Sequence, residues 1–551
     1  MKLLSMEAMR RLHQLRMIMQ PHISSTIGMK RSYSVMSGAA DDRTFLQTTF
    51  SEIDSNLMTT ETHCANFIKY YTNLSQEKKG PFLCLIAQEF GIDKGNLLAV
   101  AKSVASTKNK DDPNLLPSAD RLRMTLRPKH KTLFTHLSRV PGGVKFLVDL
   151  RADILNFKQS NISQIDSALF QELNSTLREL LLLWFTVGFL SLERITWNSP
   201  CDLVQKVSRY EAVHRIKTWF DIKQRVGPYR RCYIFTHNSM PREPVVVLHT
   251  ALTKEISSSI QTIIQDPRLQ PSFSPLIGDD KTQDPPEMES YKTAIKSSLP
   301  QSPPMSPDST DPQAITLEQM PAVGEEQEDP SQIQCAIFYS ITSTQKGLQG
   351  IEMGNYLIKA VVKRLQEEFP HLRQFSSLSP IPGFRDWLLT AVRHSISVRK
   401  VGEDPGVPVL LPDELSALEP YRKGDEESAL ETFRNLVSSH GWFSDVDITR
   451  VMVGPLMRLC AHYLYIQKRR GYALNPVANF HLSNGAVLWR INFLADTSHR
   501  GLMQSCTLMV NYRYFLDSTE SNSRKYLEDH QITASPSVLN ILNNPVKSKN
   551  S

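Results

Sequence analysis

At 551 residues the chain is too long for one ordinary core, and length alone allows about three to four domain-sized units. Its 40% hydrophobic and 22% charged residues are those of a folded globular protein, which excludes a wholly disordered or fibrous chain. The formal charge of +7 looks basic, but Lys2, Arg10, Arg11, Arg16, Lys30 and Arg31 against the single acid Glu7 place +5 of it in residues 1–40. The +2 left over makes no basic face able to displace counterions from a phosphate backbone, so no nucleic-acid partner is expected.

That leader is rich in Arg and Ser and amphipathic from Leu3 to Met19, the composition of a mitochondrial transit peptide. Its Arg31-Ser32-Tyr33-Ser34 run resembles a matrix-protease site, with cutting expected after Tyr33. From about 41 to 190 the pattern is helical. Phe146, Leu147, Leu150, Ile154 and Leu155 recur at three- and four-residue spacing behind Gly142 and Gly143, where a helix would start. Leu169, Leu173, Leu177, Leu180 and Trp184 repeat the pattern. Such stripes are core rather than ligand site, so 41–190 reads as a helical scaffold or oligomerisation domain. The apolar run Leu180–Leu190 is too short to cross roughly 30 Å of hydrocarbon and reads as a buried helix, so no membrane span is expected.

After 190 the texture changes, and 191–551 reads as a mixed α/β domain. RCYIFTH (231–237), EPVVVLHTAL (243–252) and CAIFYSITST (335–344) are dense in β-branched and aromatic residues, as strands are. Between the second and third, residues 266–330 carry 12 of the chain's 33 prolines and little apolar periodicity, so they read as a disordered insertion. The third strand leads into a helix whose face is Leu357, Ile358, Val361, Val362 and Leu365. Further helices are expected at 427–440 and from Pro455 to Gln467, and strands at 480–496 and 508–516.

Three stretches could carry chemistry. Glycines 347, 350 and 354 occupy the strand-to-helix junction, where outward N–H groups and the helix dipole favour an anion; a glycine-containing tight turn is the plainer reading. In FSSLSPIPGFRDWL (375–388), Pro380, Pro382 and Gly383 make a stiff platform for Ser379, or simply a structural turn. His481 has Asn475, Asn479 and Asn484 close in sequence, which suggests a polar site, although a lone histidine in an apolar run is usually a satisfied core residue. In NYRYF (511–515), Tyr512 and Tyr514 share one side of a strand and Arg513 the other. No Walker A, Gly-x-Gly-x-x-Gly, Gly-x-Ser-x-Gly or His-Glu-x-x-His motif occurs. The seven dispersed cysteines contain no Cys-x-x-Cys pair, which argues against a thiolate zinc site and for mostly buried free thiols.

Taken together, GGVKFLVDLRADIL (142–155), VGPYRRCY (226–233), GLQGIEMG (347–354), FSSLSPIPGF (375–384), GYALNPVANFHL…NGAVLWRIN (471–492) and NYRYF (511–515) closely resemble the malonyl-CoA decarboxylase family, in its order and over most of the chain. The resemblance implies an α+β architecture, an all-helical N-terminal domain followed by a catalytic domain of the acetyltransferase (GNAT) type. It implies a carboxy-lyase of fatty-acid metabolism that turns malonyl-CoA into acetyl-CoA and CO2, without metal or cofactor. By motif match, Gln349, Gly350, Ile351, Glu352, Met353, Gly354 and Asn355 contact the substrate, Ser379 and His481 form the catalytic pair, and Glu352 and Tyr514 support it. His481 would protonate the enolate, its pKa being adjustable to working pH.

The family also implies a homo-oligomer, a tetramer, and links a cysteine matching Cys201 to an interchain disulfide; a plain buried thiol is the default reading of Cys201. Ser-Lys-Leu, a frequent C-terminal signal in the family, is replaced here by Lys549-Asn550-Ser551, so the mitochondrial matrix is expected rather than the peroxisome. Two rival readings are an acyl-CoA-dependent N-acyltransferase on the same fold and a non-catalytic CoA-binding scaffold.

Overall fold

The computed structural model describes residues 35–55, 60–106, 113–159, 164–265, 328–351, 354–400, 409–424 and 427–543. The leader up to residue 34, residues 266–327 of the Pro-rich segment, and Glu352 with Met353 lie outside the described residues. The chain divides into two compact units, one of residues up to Trp184 together with Lys346–Gln349, the other of Phe185–Gln345 and Gly350 onward.

The first unit is helical: α1 (Val35–Ser55), α2 (Thr60–Asn73), α3 (Gln76–Glu89), α4 (Lys94–Ser106), α5 (Leu115–Thr125), α6 (Lys129–Leu137), α7 (Gly143–Gln159) and α8 (Gln164–Trp184). The α7 and α8 stripes form its core, with Leu147, Leu150, Ile154, Leu173 and Leu177 fully buried beside Phe67, Phe82 and Phe134. Each such side chain withdrawn from water stabilises the fold by about 1.5–3 kcal/mol, which is why these spacings fix which helix faces meet. Gly142 holds φ at +76°, and a Cβ on Gly143 would stand 1.7 Å from the Leu137 carbonyl oxygen, so the α6–α7 turn accepts only glycine at 143. Gly347 serves a similar close approach: a Cβ there would meet the Val148 carbonyl oxygen at 1.8 Å, and the buried Arg151 donates to the Gly347 carbonyl. This glycine of the junction is thus a packing residue.

The run Leu180–Leu190 is not one buried helix. α8 ends at Trp184, Leu183 is exposed, and the chain passes through a single 3₁₀ turn at Val187–Phe189 into a strand. A short apolar run does not distinguish a helix end from a strand start, because neither period has room to show. Among the described residues no helix is long and apolar enough to cross a membrane.

The second unit follows as β1 (Leu190–Ile195), α9 (Cys201–Tyr210), α10 (Trp219–Val226), β2 (Arg230–His237), β3 (Val246–Thr253), α11 (Gln261–Ile264), β4 (Cys335–Ser343), α12 (Gly354–Glu368), β5 (Gln374–Ser377) and β6 (Ser379–Pro380). It continues with α13 (Phe384–Lys400), α14 (Pro412–Leu418), α15 (Ala429–Ser438), α16 (Val446–Tyr465), β7 (Lys468–Arg469), β8 (Tyr472–Ala473), α17 (Pro476–Ser483), β9 (Val487–Asn492), α18 (His499–Ser505), β10 (Met509–Tyr514), α19 (Thr519–Asp529) and α20 (Pro536–Asn543). Eight of the strands form one mixed sheet. β1 to β4 run antiparallel in chain order, β4 and β5 are parallel, and β10 is antiparallel to β5 and β6 on one side and to β9 on the other. A parallel pair needs a crossover, and α12 supplies it, burying Leu357, Ile358, Val361, Val362 and Leu365 as the pattern predicts.

A second assignment changes. The stretch 480–496, read as a strand, begins in α17 and becomes β9 only at Val487. Asn475 accepts the Ala478 N–H at 2.9 Å and Pro476 follows at the first helical position, a strong helix start that outweighs the β-rich residues downstream.

The α6–α7 turn gives a direct test. Gly142→Ala is expected to cost about 1–2 kcal/mol for its left-handed backbone. Gly143→Ala, which must move main chain, is expected to cost more than about 3 kcal/mol. Denaturant midpoints of the two variants check the order; equal losses would refute the steric account.

Candidate active site

Two short elements bring the Ser379 and His481 side chains together, though 102 residues separate them in the chain. β6 carries Ser379 in extended backbone, as a residue before proline prefers, and pairs it with Val510 of β10. Immediately beyond, the Pro382 carbonyl accepts from Asn475 Nδ2 at 2.9 Å and from Tyr463 Oη at 3.2 Å, which pins the loop. Gly383 then turns at φ +79° into α13. This is the stiff platform that the prolines suggest.

His481 lies in the last turn of α17, on the face that also buries Ala478 and Leu482. That two-turn helix is fixed at both ends. Asn475 caps its start, and at its end Gly485 (φ +76°) comes so near the Thr519 carbonyl that a Cβ would lie 1.8 Å from that oxygen. On β10, the period of two turns Tyr512 and Tyr514 to His481, while Arg513 points away and lies between Trp489 and Phe515, 4.6 and 4.5 Å from their ring centres.

The result is a buried chain of neutral groups. His481 Nε2 is 2.9 Å from Ser379 Oγ, and Nδ1 is 2.7 Å from Tyr514 Oη. Ser379 Oγ donates to Ser377 Oγ at 2.9 Å. The Tyr512 ring stacks on the imidazole at 4.5 Å and 17°, with Phe480 edge-on at 5.1 Å. Ser379 is 5% exposed, His481 3% and Tyr514 3%, so substrate would meet a largely dry site. Burial pushes the His481 imidazole down to about 3, so the ring is neutral near pH 7. Burial also raises the Tyr514 and Tyr512 phenols well above their ordinary range, so both keep their protons.

The pattern of partners differs from the one the sequence suggests. Asn479 accepts from Tyr526 Oη, Asn484 Nδ2 donates to the Phe480 carbonyl, and Asn475 is a helix cap; none of the three side chains bonds the His481 ring. The amides are occupied by other partners, and those of the histidine ring come from distant strands. Nor does the free site place His481 near working pH. Ser377 and Tyr512 were not singled out as site residues, yet both lie two positions from one that was, on the same side of a strand.

Of the junction residues, Gln349 follows a 3₁₀ turn (Lys346–Leu348), Gly350 adopts φ +76°, Ile351 is buried and Gly354 opens α12, with Asn355 next. Glu352 and Met353 fall outside the described residues. Cys201, taken by default as buried, is exposed at the start of α9, whereas Cys64, Cys232, Cys335, Cys460 and Cys506 are buried. Among the described residues no group of three or more His, Cys, Asp or Glu side chains is placed to hold a metal ion.

Comparison with known proteins places this geometry in context. A family model described as the malonyl-CoA decarboxylase C-terminal domain matches residues 188–274 and 312–551, and one described as the N-terminal domain matches 90–185. The chain is 42% identical over 485 residues to the mitochondrial malonyl-CoA decarboxylase of Rattus norvegicus, covering 88% of this chain and 85% of that protein. It is 40% identical to that of Anser anser anser, covering 88% and 83%. The crystal structure of malonyl-CoA decarboxylase from Rhodopseudomonas palustris superposes with a TM-score of 0.67 at 27% identity, covering 91% of this chain and 98% of that one. That from Agrobacterium vitis gives 0.67 at 25%, covering 91% and 99%.

The neutral state of His481 fixes a pH dependence. Its folded pKa of about 3 lies below the ~6.5 of an unfolded imidazole, so the unfolded chain binds the extra proton. The corresponding stability is complete above about pH 6.5 and is lost as pH falls towards 3. His481→Gln is expected to show a shallower acid loss in denaturant titrations than the parent. An identical acid limb would mean that the ring is solvated or charged in the fold.

Proposed function

The chain belongs to the malonyl-CoA decarboxylase family, and from that premise we propose how its buried polar chain carries the reaction. As a carboxy-lyase it converts malonyl-CoA to acetyl-CoA and CO2. The carboxylate C–C bond breaks, and its electron pair moves into the thioester, giving an enolate that must be held and then protonated on carbon. In this reading Ser379 and His481 are the catalytic pair, and the single observation that carries it is the hydrogen-bonded run Ser379–His481–Tyr514.

The neutral imidazole sharpens the chemistry. Desolvation by burial lowers His481, and among the described residues no acidic side chain offsets it. A malonyl carboxylate brought against the ring supplies the missing negative charge and raises its proton affinity, so the imidazolium forms only with substrate bound. When CO2 departs, the charge passes to the enolate oxygen, which the protonated His481 can face with an N–H donor while Ser379 orients the ring. His481 then gives its proton to carbon and returns to the neutral state that the dry site favours. Tyr514 holds Nδ1 and fixes the ring plane. Glu352 is assigned a supporting role by motif match alone.

The remaining assignments rest on coarser support. The β4–α12–β5 crossover within an otherwise largely antiparallel sheet is consistent with a GNAT-type catalytic domain over 191–551. Gln349–Asn355 would receive the CoA pyrophosphate, with the opening N–H groups of α12 as donors. The helical 41–190 region would serve homo-oligomer assembly, as a tetramer. Residues 1–40 would direct the chain to the mitochondrial matrix, in keeping with the relatives' names. The exposed Cys201 could then form an interchain disulfide.

Purified protein given malonyl-CoA and no acyl acceptor is expected to release acetyl-CoA stoichiometrically with CO2, which an N-acyltransferase or a non-catalytic scaffold would not do. His481→Ala and Ser379→Ala are each expected to lose at least ~100-fold in kcat with KM changed far less. Near-normal turnover by either variant would overturn the assignment. For Cys201, a non-reducing gel should show a dimer band in the parent that Cys201→Ser lacks; no band in the parent would remove the disulfide.

A further inference from the structure

The Ser379–His481 pair leaves one thing open: which ring nitrogen carries the proton. The strand beside it answers. β10 pairs Arg513 and Tyr514 with Ser376 and Phe375 of β5, and Val510 and Met509 with Ser379 and Pro380 of β6, in one continuous register. Tyr512 therefore lies opposite Ser377, where the ladder should continue, but the usual backbone bonds are replaced there by side chains. The Tyr512 N–H goes to Ser377 Oγ at 3.2 Å, the Tyr512 carbonyl accepts from Ser376 Oγ at 3.1 Å, and the Ser377 carbonyl accepts from Asn511 Nδ2 at 2.8 Å. Leu378 between the two serines turns into the core on the other face, so Ser377 and Ser379 stand side by side by strand alternation.

Ser377 is fully buried, and its oxygen receives both the Tyr512 N–H and the Ser379 O–H. A serine hydroxyl has one proton. Having given it to Ser377, Ser379 can only accept from His481, so the proton sits on Nε2. The bare Nδ1 then accepts the phenolic proton of Tyr514. We propose that Ser377 is a positioning residue that sets the direction of this chain, Tyr514 to His481 to Ser379 to Ser377, and so holds His481 in the Nε2–H tautomer. The inference rests on the catalytic reading of Ser379 and His481. Its consequence for the reaction is that the ring presents a proton, and not a lone pair, to the side where Ser379 and substrate lie. Without the Ser377 acceptor, the Ser379 hydroxyl is free to turn and donate to Nε2, which moves the ring proton to Nδ1 and away from the reacting carbon.

The test compares Ser377→Ala and Ser377→Thr with the parent enzyme. Nitrogen-15 chemical shifts of the labelled His481 ring are expected to report Nε2–H in the parent and Ser377→Thr, and a shift towards Nδ1–H in Ser377→Ala. Ser377→Ala should lose about tenfold in kcat with KM for malonyl-CoA little changed, the cost of one misdirected hydrogen bond, and Ser377→Thr should recover it. Should the alanine form fail to fold, Ser377→Cys keeps the volume, weakens the acceptor and is read in the same two ways. A parent-like tautomer and kcat in the variant lacking the hydroxyl acceptor would overturn the proposal. His481→Ala run alongside separates the outcomes: its loss of turnover beside an unaffected Ser377→Ala removes the role of Ser377 alone, and its retention of turnover removes the catalytic reading itself.

Discussion

The site depends on where β10 lies. It has neighbours on both sides, β5 and β6 on one edge and β9 on the other. Its register with β6 sets the height of Ser379, its pleat turns Tyr512 and Tyr514 to the histidine, and α17 runs directly into β9, which pairs with it. A slip of one residue would turn both tyrosines to the far face and put Arg513 against His481. Such a slip is resisted by Arg513 itself, held between Trp489 and Phe515, and by Asn511, which bonds Arg490, Asn492 and the Ser377 carbonyl.

A buried run of neutral hydrogen bonds stabilises only if every link is made, because an orphaned polar atom keeps its full desolvation cost. That explains why serines recur so densely at 376, 377 and 379. The short β5–β6 interruption forfeits main-chain bonds at Tyr512, and the hydroxyls of Ser376 and Ser377 replace them. Rigid neutral polarity is also what the reaction wants. In the proposed mechanism the negative charge beside His481 comes with the substrate.

Much of this was legible in the sequence, and the rest was not for identifiable reasons. The α7, α8 and α12 stripes, the β2–β4 strands and the pairing of Tyr512 with Tyr514 follow from periodicity, since burial acts on one face at a time. Ser379 and His481 could be named from family resemblance, and the stiffness around Pro380 and Pro382 from backbone chemistry. What local reasoning missed is long-range. The asparagines around His481 look like partners because they are near in sequence, but α17 uses them as caps and braces. The role of Ser377 needs the register of β10, 135 residues away, before its hydroxyl has anything to accept. The boundary at Val487 was misplaced because a two-turn helix is too short to show a period.

A second buried histidine in the same unit shows what the first one lacks. His249 on β3 is fully enclosed and, like His481, is held low by burial, to about 4. Its Nε2, however, lies 3.3 Å from a Glu211 carboxylate that also accepts from Ser340 Oγ and from the main-chain N–H groups of Val213 and His214. The neighbouring Tyr339 stacks on that ring, while Phe338, turned the other way by the pleat, meets the ring of Tyr514. Adjacent residues of β4 thus separate two histidine environments of opposite design. On the His249 side the fold supplies its own carboxylate, with Arg225 close enough to help hold it ionised. On the His481 side the ring nitrogens meet hydroxyls alone among the described residues, and in the proposed mechanism the negative charge that raises the ring's proton affinity comes with the malonyl group.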